Sequence, residues 1–234
     1  MSEEIDPVVL YGRTLSLEVR PRTVLVEGTS DVELFKQAAQ LEYVETNTEL
    51  LGNDIVIVAA GECENGGVNG LIRELIRFKG YARTCLLPDG RPRYRFIGLF
   101  DNDHAGRMAV KLIQQIDISI VEYKDVFRLR PVMPLPGILD PGTMQKTFER
   151  ENDRYKGLDW EIEDFIQNDF YEVFLSEKPS AVVRTKEVGG KVHRDLTQDG
   201  KAQLHRFIKL NATRSDLIEI IRLLKAIRFY LLLK

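Results

Sequence analysis

Over the first 130 positions, short apolar runs bounded by turn residues alternate with segments of helical period. The runs at 23–26 (T-V-L-V) and 55–60 (I-V-I-V-A-A) read as buried strands. Continuous apolar stretches of that length, rich in β-branched residues, fit a sheet covered on both faces. Between them, Ser30 and Glu33 make an S-x-x-E pattern that predicts a capped helix through Leu41, with Leu34, Phe35, Ala38 and Leu41 on its apolar stripe. After Gly61 and the loop E-C-E-N-G-G, a helix is expected over 68–78, with Leu71, Leu75, Ile76 and Phe78 as core contacts. The P-D-G-R-P stretch within 86–93 reads as a turn. A strand ending at Asp101, a helix over 105–116 and a strand within 119–129 complete the series. This alternation implies βαβ units, hence an α/β fold whose mainly parallel sheet is flanked by helices.

Beyond Pro131 the texture changes. The stretch P-V-M-P-L-P-G-I-L-D-P-G is too proline-rich for a central strand, and 146–156 is strongly charged. L-D-W-E-I-E-D-F-I at 158–166 reads as a helix start, and 182–193 as a hairpin around Gly189-Gly190. Two helices follow, over 197–210 and 215–232, the second with Leu217, Ile220, Ile221, Leu224 and Ile227 on one face. The expected organisation is a lead-in at 1–22, a main α/β domain at 23–175, and a mostly helical basic extension at 176–234.

Charge sharpens that division. The 234-residue chain has a net charge of only −3, yet positions 177–234 hold 13 basic and 6 acidic residues, against 20 and 30 in the remainder. An acidic region joined to a basic one suggests a cation site beside an anion-binding surface; a solvated basic helix face is the plainer alternative. Cys63 and Cys85 show no C-x-x-C spacing, which argues against a zinc ribbon or a disulfide framework and favours a reduced, cytoplasmic setting. The N-terminal M-S-E-E-I-D-P has no apolar core, so no signal peptide is expected. The leucines at 231–233 are too few to span a bilayer.

The chemistry concentrates in F-I-G-L-F-D-N-D-H-A-G at 96–106, where an apolar run stops at Asp101 and Asp103. Paired carboxylates at a strand end suit Mg²⁺, which takes oxygen ligands and is held by one or two carboxylates plus substrate phosphates. V-L-V-E-G-T-S-D at 24–31 has the same form, with Glu27 at the strand end and Asp31 one turn later. In a parallel α/β sheet, ligands bind beyond the carboxyl ends of the strands, so both acidic ends can serve one site. An EF-hand is excluded by Ala105 and Leu112, which stand where ligands are required, and a haloacid-dehalogenase phosphatase by the position of the pair and by Ala105 in the next slot. The bland alternative makes Asp101 and Asp103 turn and helix-cap residues. Of the histidines, His104 adjoins Asp103 and could touch metal or substrate, although a lone loop histidine is more often solvated; His193 and His205 are expected on the surface or in packing.

Taken together, V-L-V-E-G-T-S-D, a βαβ spacer and L-F-D-N-D-H-A-G resemble the TOPRIM domain shared by topoisomerases, primases, small RNA maturases and OLD-type (overcoming lysogenisation defect) nucleases. The resemblance covers about 23–129. It implies that Glu27, Asp101 and Asp103 hold a divalent ion and act in phosphodiester chemistry. Asp31 corresponds to the extra acidic residue of the OLD-type members, and Gly28 and Gly106 would let backbone approach metal and phosphates. E-I-E-D at 161–164 looks like the acidic pair with which those nucleases bind a second metal, assigning Glu161 and Glu163 to it; its alternative reading is an acidic first helical turn. The implied activity is Mg²⁺- or Mn²⁺-dependent cleavage of DNA or RNA with two ions, in anti-phage defence. G-x-x-x-x-G-K-[ST] is absent, so an ATPase or other effector is expected as a separate chain. OLD-type nucleases also place a lysine downstream of the acidic pair. Lys201, at an expected helix start, is preferred over Lys186 and Lys191 for transition-state charge, while Arg107, Lys191 and Arg194 are expected to contact nucleic acid. The competing expectation is a TOPRIM-like module, possible as an oligomer, that binds nucleic acid or a partner without cutting.

Overall fold

The structure is a computed structural model describing residues 6–60, 67–133 and 140–233. Cys63, the 62–67 loop apart from Gly67, and the centre of the proline-rich stretch lie outside the described residues. A short helix α1 (Pro7–Thr14) precedes β1 (Arg22–Val26), α2 (Thr29–Thr46), β2 (Ile55–Ala59), α3 (Gly67–Ala82), β3 (Arg95–Phe100), α4 (His104–Ile116) and β4 (Val126–Arg128). The four strands form one sheet in the order β2-β1-β3-β4, and every pairing is parallel. Arg22 lies opposite both Ile55 and Arg95, which puts the carboxyl ends of β1 and β3 side by side.

Alternation along the strands divides the core into two layers. Val24, Val26, Ile55, Ile57, Ile97 and Leu99 point into one apolar cluster, and Leu25, Val58, Phe96 and Phe100 into the other. Both faces need cover, which is why these strands read as unbroken apolar runs. Helices α1, α3 and α4 cover the second face. The first is covered by α2 and by the later elements: α5 (Pro141–Asn152), α6 (Asn168–Glu177), α7 (Gln198–Asn211) and α8 (Ile218–Tyr230). Leu217, Ile220, Ile221, Leu224 and Ile227 are all buried in that cluster, so the extension at 176–234 shares the core of the sheet. Between α6 and α7 runs the hairpin of β5 (Val182–Val188) and β6 (Lys191–Leu196). Its two connecting residues, Gly189 and Gly190, both have positive φ, as a two-residue hairpin loop requires.

Two local expectations are corrected. Gly28, not Ser30, is the N-cap of α2, and Asp31 rather than Glu33 returns a carboxylate to the cap, accepting the Gly28 N–H at 3.0 Å. E-I-E-D does not open a long helix: Ile162–Phe165 is a single 3-10 turn capped by Glu161, and α6 starts only at Asn168. No helix among the described residues is long and apolar enough to cross a membrane.

Candidate metal centre

The site lies where β1 and β3 end. Glu27 follows the last residue of β1 and accepts the N–H of Asp101, just past β3, at 3.0 Å. Asp103 caps α4 by accepting the Gly106 N–H at 2.7 Å, so the helix-cap reading of this residue holds. A Cβ on Gly106 would stand 1.9 Å from the Asp101 carbonyl oxygen. The glycine therefore admits the chain's own backbone, where a role in approaching metal or phosphate was expected.

Sequence reasoning passed over Asn102, the residue between the two aspartates. It is buried, donates its N–H to the Trp160 carbonyl at 2.9 Å and its side-chain amide to the Leu158 carbonyl at 3.2 Å. Asn102 thus splices the distant 158–163 segment onto the end of β3. Arg107 reinforces the splice, donating to the Asn102 carbonyl and to Asp159, each at 2.7 Å. The sequence showed only an amide between two aspartates; its burial, which demands that its hydrogen bonds be met, is visible only in the fold.

The same splice delivers the second acidic pair. Asp164 accepts the Glu161 N–H at 2.8 Å and fixes the turn. His193 takes the packing alternative of its expectation: it is buried, and it holds Asp164 through Nδ1 at 2.7 Å and Asp195 through Nε2 at 2.9 Å. Burial alone would lower the imidazole, but the two carboxylates outweigh it and raise it to about 9, so both ring nitrogens donate. Lys201, near the start of α7, reaches Glu161 Oε2 at 2.6 Å and lies 3.6 Å from Glu163 Oε1. His205, one turn on, is 3.4 Å from that same oxygen. Glu163 is 3% exposed, and its other oxygen, Oε2, has no hydrogen-bond partner.

The electrostatics are those of a site with too much negative charge. Burial pushes Glu27 up to about 7 and the charges of Asp31, Asp103 and Glu161 add to it, although the Asp101 N–H opposes the shift. Burial and the charge of Glu163 bring Asp31 up to about 6. Asp101 is raised well above the carboxylate range by burial and by Glu27, Asp31, Glu163 and Glu161. Burial raises Glu161 despite Lys201. Glu163 alone goes the other way: burial resists, but His205 and Lys201 hold it at about 2, a bare carboxylate. As they stand, no three His, Cys, Asp or Glu side chains among the described residues converge closely enough to hold an ion. An all-oxygen set with an orphaned, ionised Glu163 oxygen nevertheless fits a hard divalent cation, which would relieve the mutual repulsion.

Not every expected residue joins this centre. Arg194 is 6% exposed, donates to Glu172 at 2.7 Å and stacks 4.4 Å over the Tyr171 ring, so its guanidinium is spent inside the fold and is not presented to a phosphate. Lys186 donates to the Gly157 carbonyl, and Lys191 lies over the Trp160 face at 5.9 Å. His104 is exposed at the first position of α4. Two grooves of about 700 and 770 Å³ flank α2, and neither is lined by any of the acidic residues assigned above. Fold and site together define an α/β protein carrying a cluster of half-buried carboxylates around a buried Glu163 at the carboxyl edge of a parallel sheet. Compared with known proteins, the chain matches no family model, no curated protein and no solved structure.

Proposed function

We propose that this chain is a divalent-cation-dependent nuclease, of the TOPRIM kind found in OLD-type nucleases, hydrolysing phosphodiester bonds in DNA or RNA. The observation that carries the reading is the excess of half-buried and buried carboxylates near one lysine, with an ionised Glu163 oxygen left unpartnered. Glu27, Asp31, Asp101 and Asp103 would hold one Mg²⁺ or Mn²⁺, and Glu161 with Glu163 a second. Such ions supply an activated water and stabilise the leaving oxygen. Lys201, drawn to both glutamates, offsets charge building on the scissile phosphate. Arg107 and Lys191 are the remaining candidates for nucleic-acid contact. A cytoplasmic role in anti-phage defence, with a separate ATPase or other effector, follows from the resemblance.

The test incubates the purified chain with plasmid, single-stranded DNA and RNA, each with and without Mg²⁺ or Mn²⁺. Metal-dependent cleavage that disappears in Asp101→Asn supports the reading. Nucleic-acid binding without cleavage under any of these conditions replaces it with a non-cutting module.

A further inference from the structure

The basic surplus of 177–234 is only partly used by the acidic centre. Along α7, Lys201, His205 and Lys209 follow one another on one side, each about 6 Å further along the axis. Lys201 is drawn to Glu161 and Glu163, and His205 Nε2 lies 3.4 Å from Glu163. His205 also lines the groove of about 700 Å³ between α7 and α2, together with Arg206 and Lys209. That groove therefore begins where the acidic centre ends. Among the described residues, Arg206 and Lys209 have no hydrogen-bond or ion-pair partner. On the facing wall, Lys36 is held only by Glu33, in a well-exposed pair of the kind that contributes little. Tyr43 stands 48% exposed in the same groove, beside an apolar lining that includes Leu50 and Ile208.

We propose that this groove binds a single-stranded polynucleotide, with backbone phosphates on Lys36, Arg206 and Lys209 and a base against the Tyr43 ring. That the strand leads on to a cleaving centre rests on the nuclease reading; its binding here does not. Charge is the first reason. Three cations line the groove against Glu33 and Glu49, and Glu33 already faces Lys36, so the surplus is positive in a chain whose total is −3. The second reason is the aromatic ring among apolar neighbours. Bases freed from pairing offer flat faces that stack on such a ring, whereas a duplex keeps its bases inside and presents only phosphates. A duplex is also too wide to enter a space between two neighbouring helices. The third reason is direction: Lys209, His205 and Lys201 run from the groove to Glu163, a line of positive or donor groups that a backbone can track. An acidic peptide would satisfy the cations but leave Tyr43 without a stacking partner.

Fluorescence anisotropy of the full chain with labelled oligothymidylate or oligouridylate, in EDTA to prevent cleavage, should show saturable binding that weakens as salt rises. The duplex of oligothymidylate with oligoadenylate should bind about tenfold more weakly, and polyglutamate should compete poorly. Arg206→Ala and Lys209→Ala should each lower the salt slope by about 0.7. Tyr43→Ala should weaken binding about tenfold at an unchanged slope, and Glu49→Gln should tighten it. Circular dichroism should be the same for all. Lys124→Ala removes an exposed cation at the opposite edge of the sheet, just before β4, and should change neither affinity nor slope. Absence of binding overturns the proposal, as does a duplex or polyglutamate bound as tightly as the single strands. Indifference to Arg206→Ala, Lys209→Ala and Tyr43→Ala, or an equal effect of Lys124→Ala, also overturns it. Cleavage on adding Mg²⁺ is read separately. Binding that follows these variants without cleavage keeps the groove and removes the nuclease reading; cleavage with binding indifferent to them does the reverse.

Discussion

Helix α2 carries a half-buried carboxylate at its start and a fully buried one three turns on, and they have opposite fates. Glu42 is enclosed by Arg214, whose Nε is 2.6 Å away, and by Lys225 at 2.5 Å. Burial would raise it, but these two cations hold it below the usual carboxylate range. Asp31, at the N-terminal end of the same helix, feels Glu27, Asp101 and Glu163, with Lys201 as the cation acting on it, and burial together with the charge of Glu163 pushes it up to about 6. One site is balanced and ties α2 to α8 and the turn before it. The other is unbalanced, and holding it together costs free energy that a cation bound as proposed would offset. Two acids on one helix, one half-buried and one buried, are thus told apart by counting their partners.

The sharpest way to break this comparison is to remove charge at the unbalanced end. Asp101→Asn should reduce metal-dependent cleavage by roughly a thousandfold, since it deletes a ligand at the centre of the cluster. In metal-free buffer its urea midpoint should hold or rise, because repulsion is relieved. A variant that cleaves at the wild-type rate would dismiss the assigned centre.

Lys201→Ala should act nearly as strongly on the reaction. Single-turnover cleavage should drop about a hundredfold with nucleic-acid affinity little changed. If affinity falls and its salt slope drops by about one instead, Lys201 is a phosphate contact.

At the balanced end the sign reverses. Glu42→Gln should lose roughly 1–2 kcal/mol in a urea titration, at the low side for a broken buried pair because Arg214 and Lys225 retain some access to water. Cleavage per folded molecule should be unaffected. Equal losses of stability from Glu42→Gln and Asp101→Asn would erase the distinction.

The smallest effect concerns His193, where partners and charge also balance. Its folded value, about 9, lies above the ordinary 6.5, so its contribution is fully present below about 6.5 and is lost as pH rises through 9. Melting temperatures of wild type and His193→Gln, compared from pH 6 to 10, should therefore converge towards the alkaline end. A constant difference across that range would mean that His193 acts by packing alone.

The sequence by itself determined the strands and most helices. Thr23 to Val26, Ile55 to Ala59 and Phe96 to Phe100 are continuous apolar runs because both faces of a parallel sheet are buried, a condition that local composition records. It also put Glu27 and Asp101 at strand ends, since strands finish where the apolar run finishes. What it could not determine was which acids meet and what compensates each. Asn102 reaching the Trp160 and Leu158 carbonyls, His193 closing on Asp164, and Arg194 turning inward onto Tyr171 and Glu172 join positions 22 to 58 residues apart. Such pairings leave no period or spacing in the chain. They depend on which cation or donor the folded backbone brings within hydrogen-bond range, and a shift of a few ångströms decides whether an acid such as Glu163 ends fully paired or keeps one oxygen without a partner.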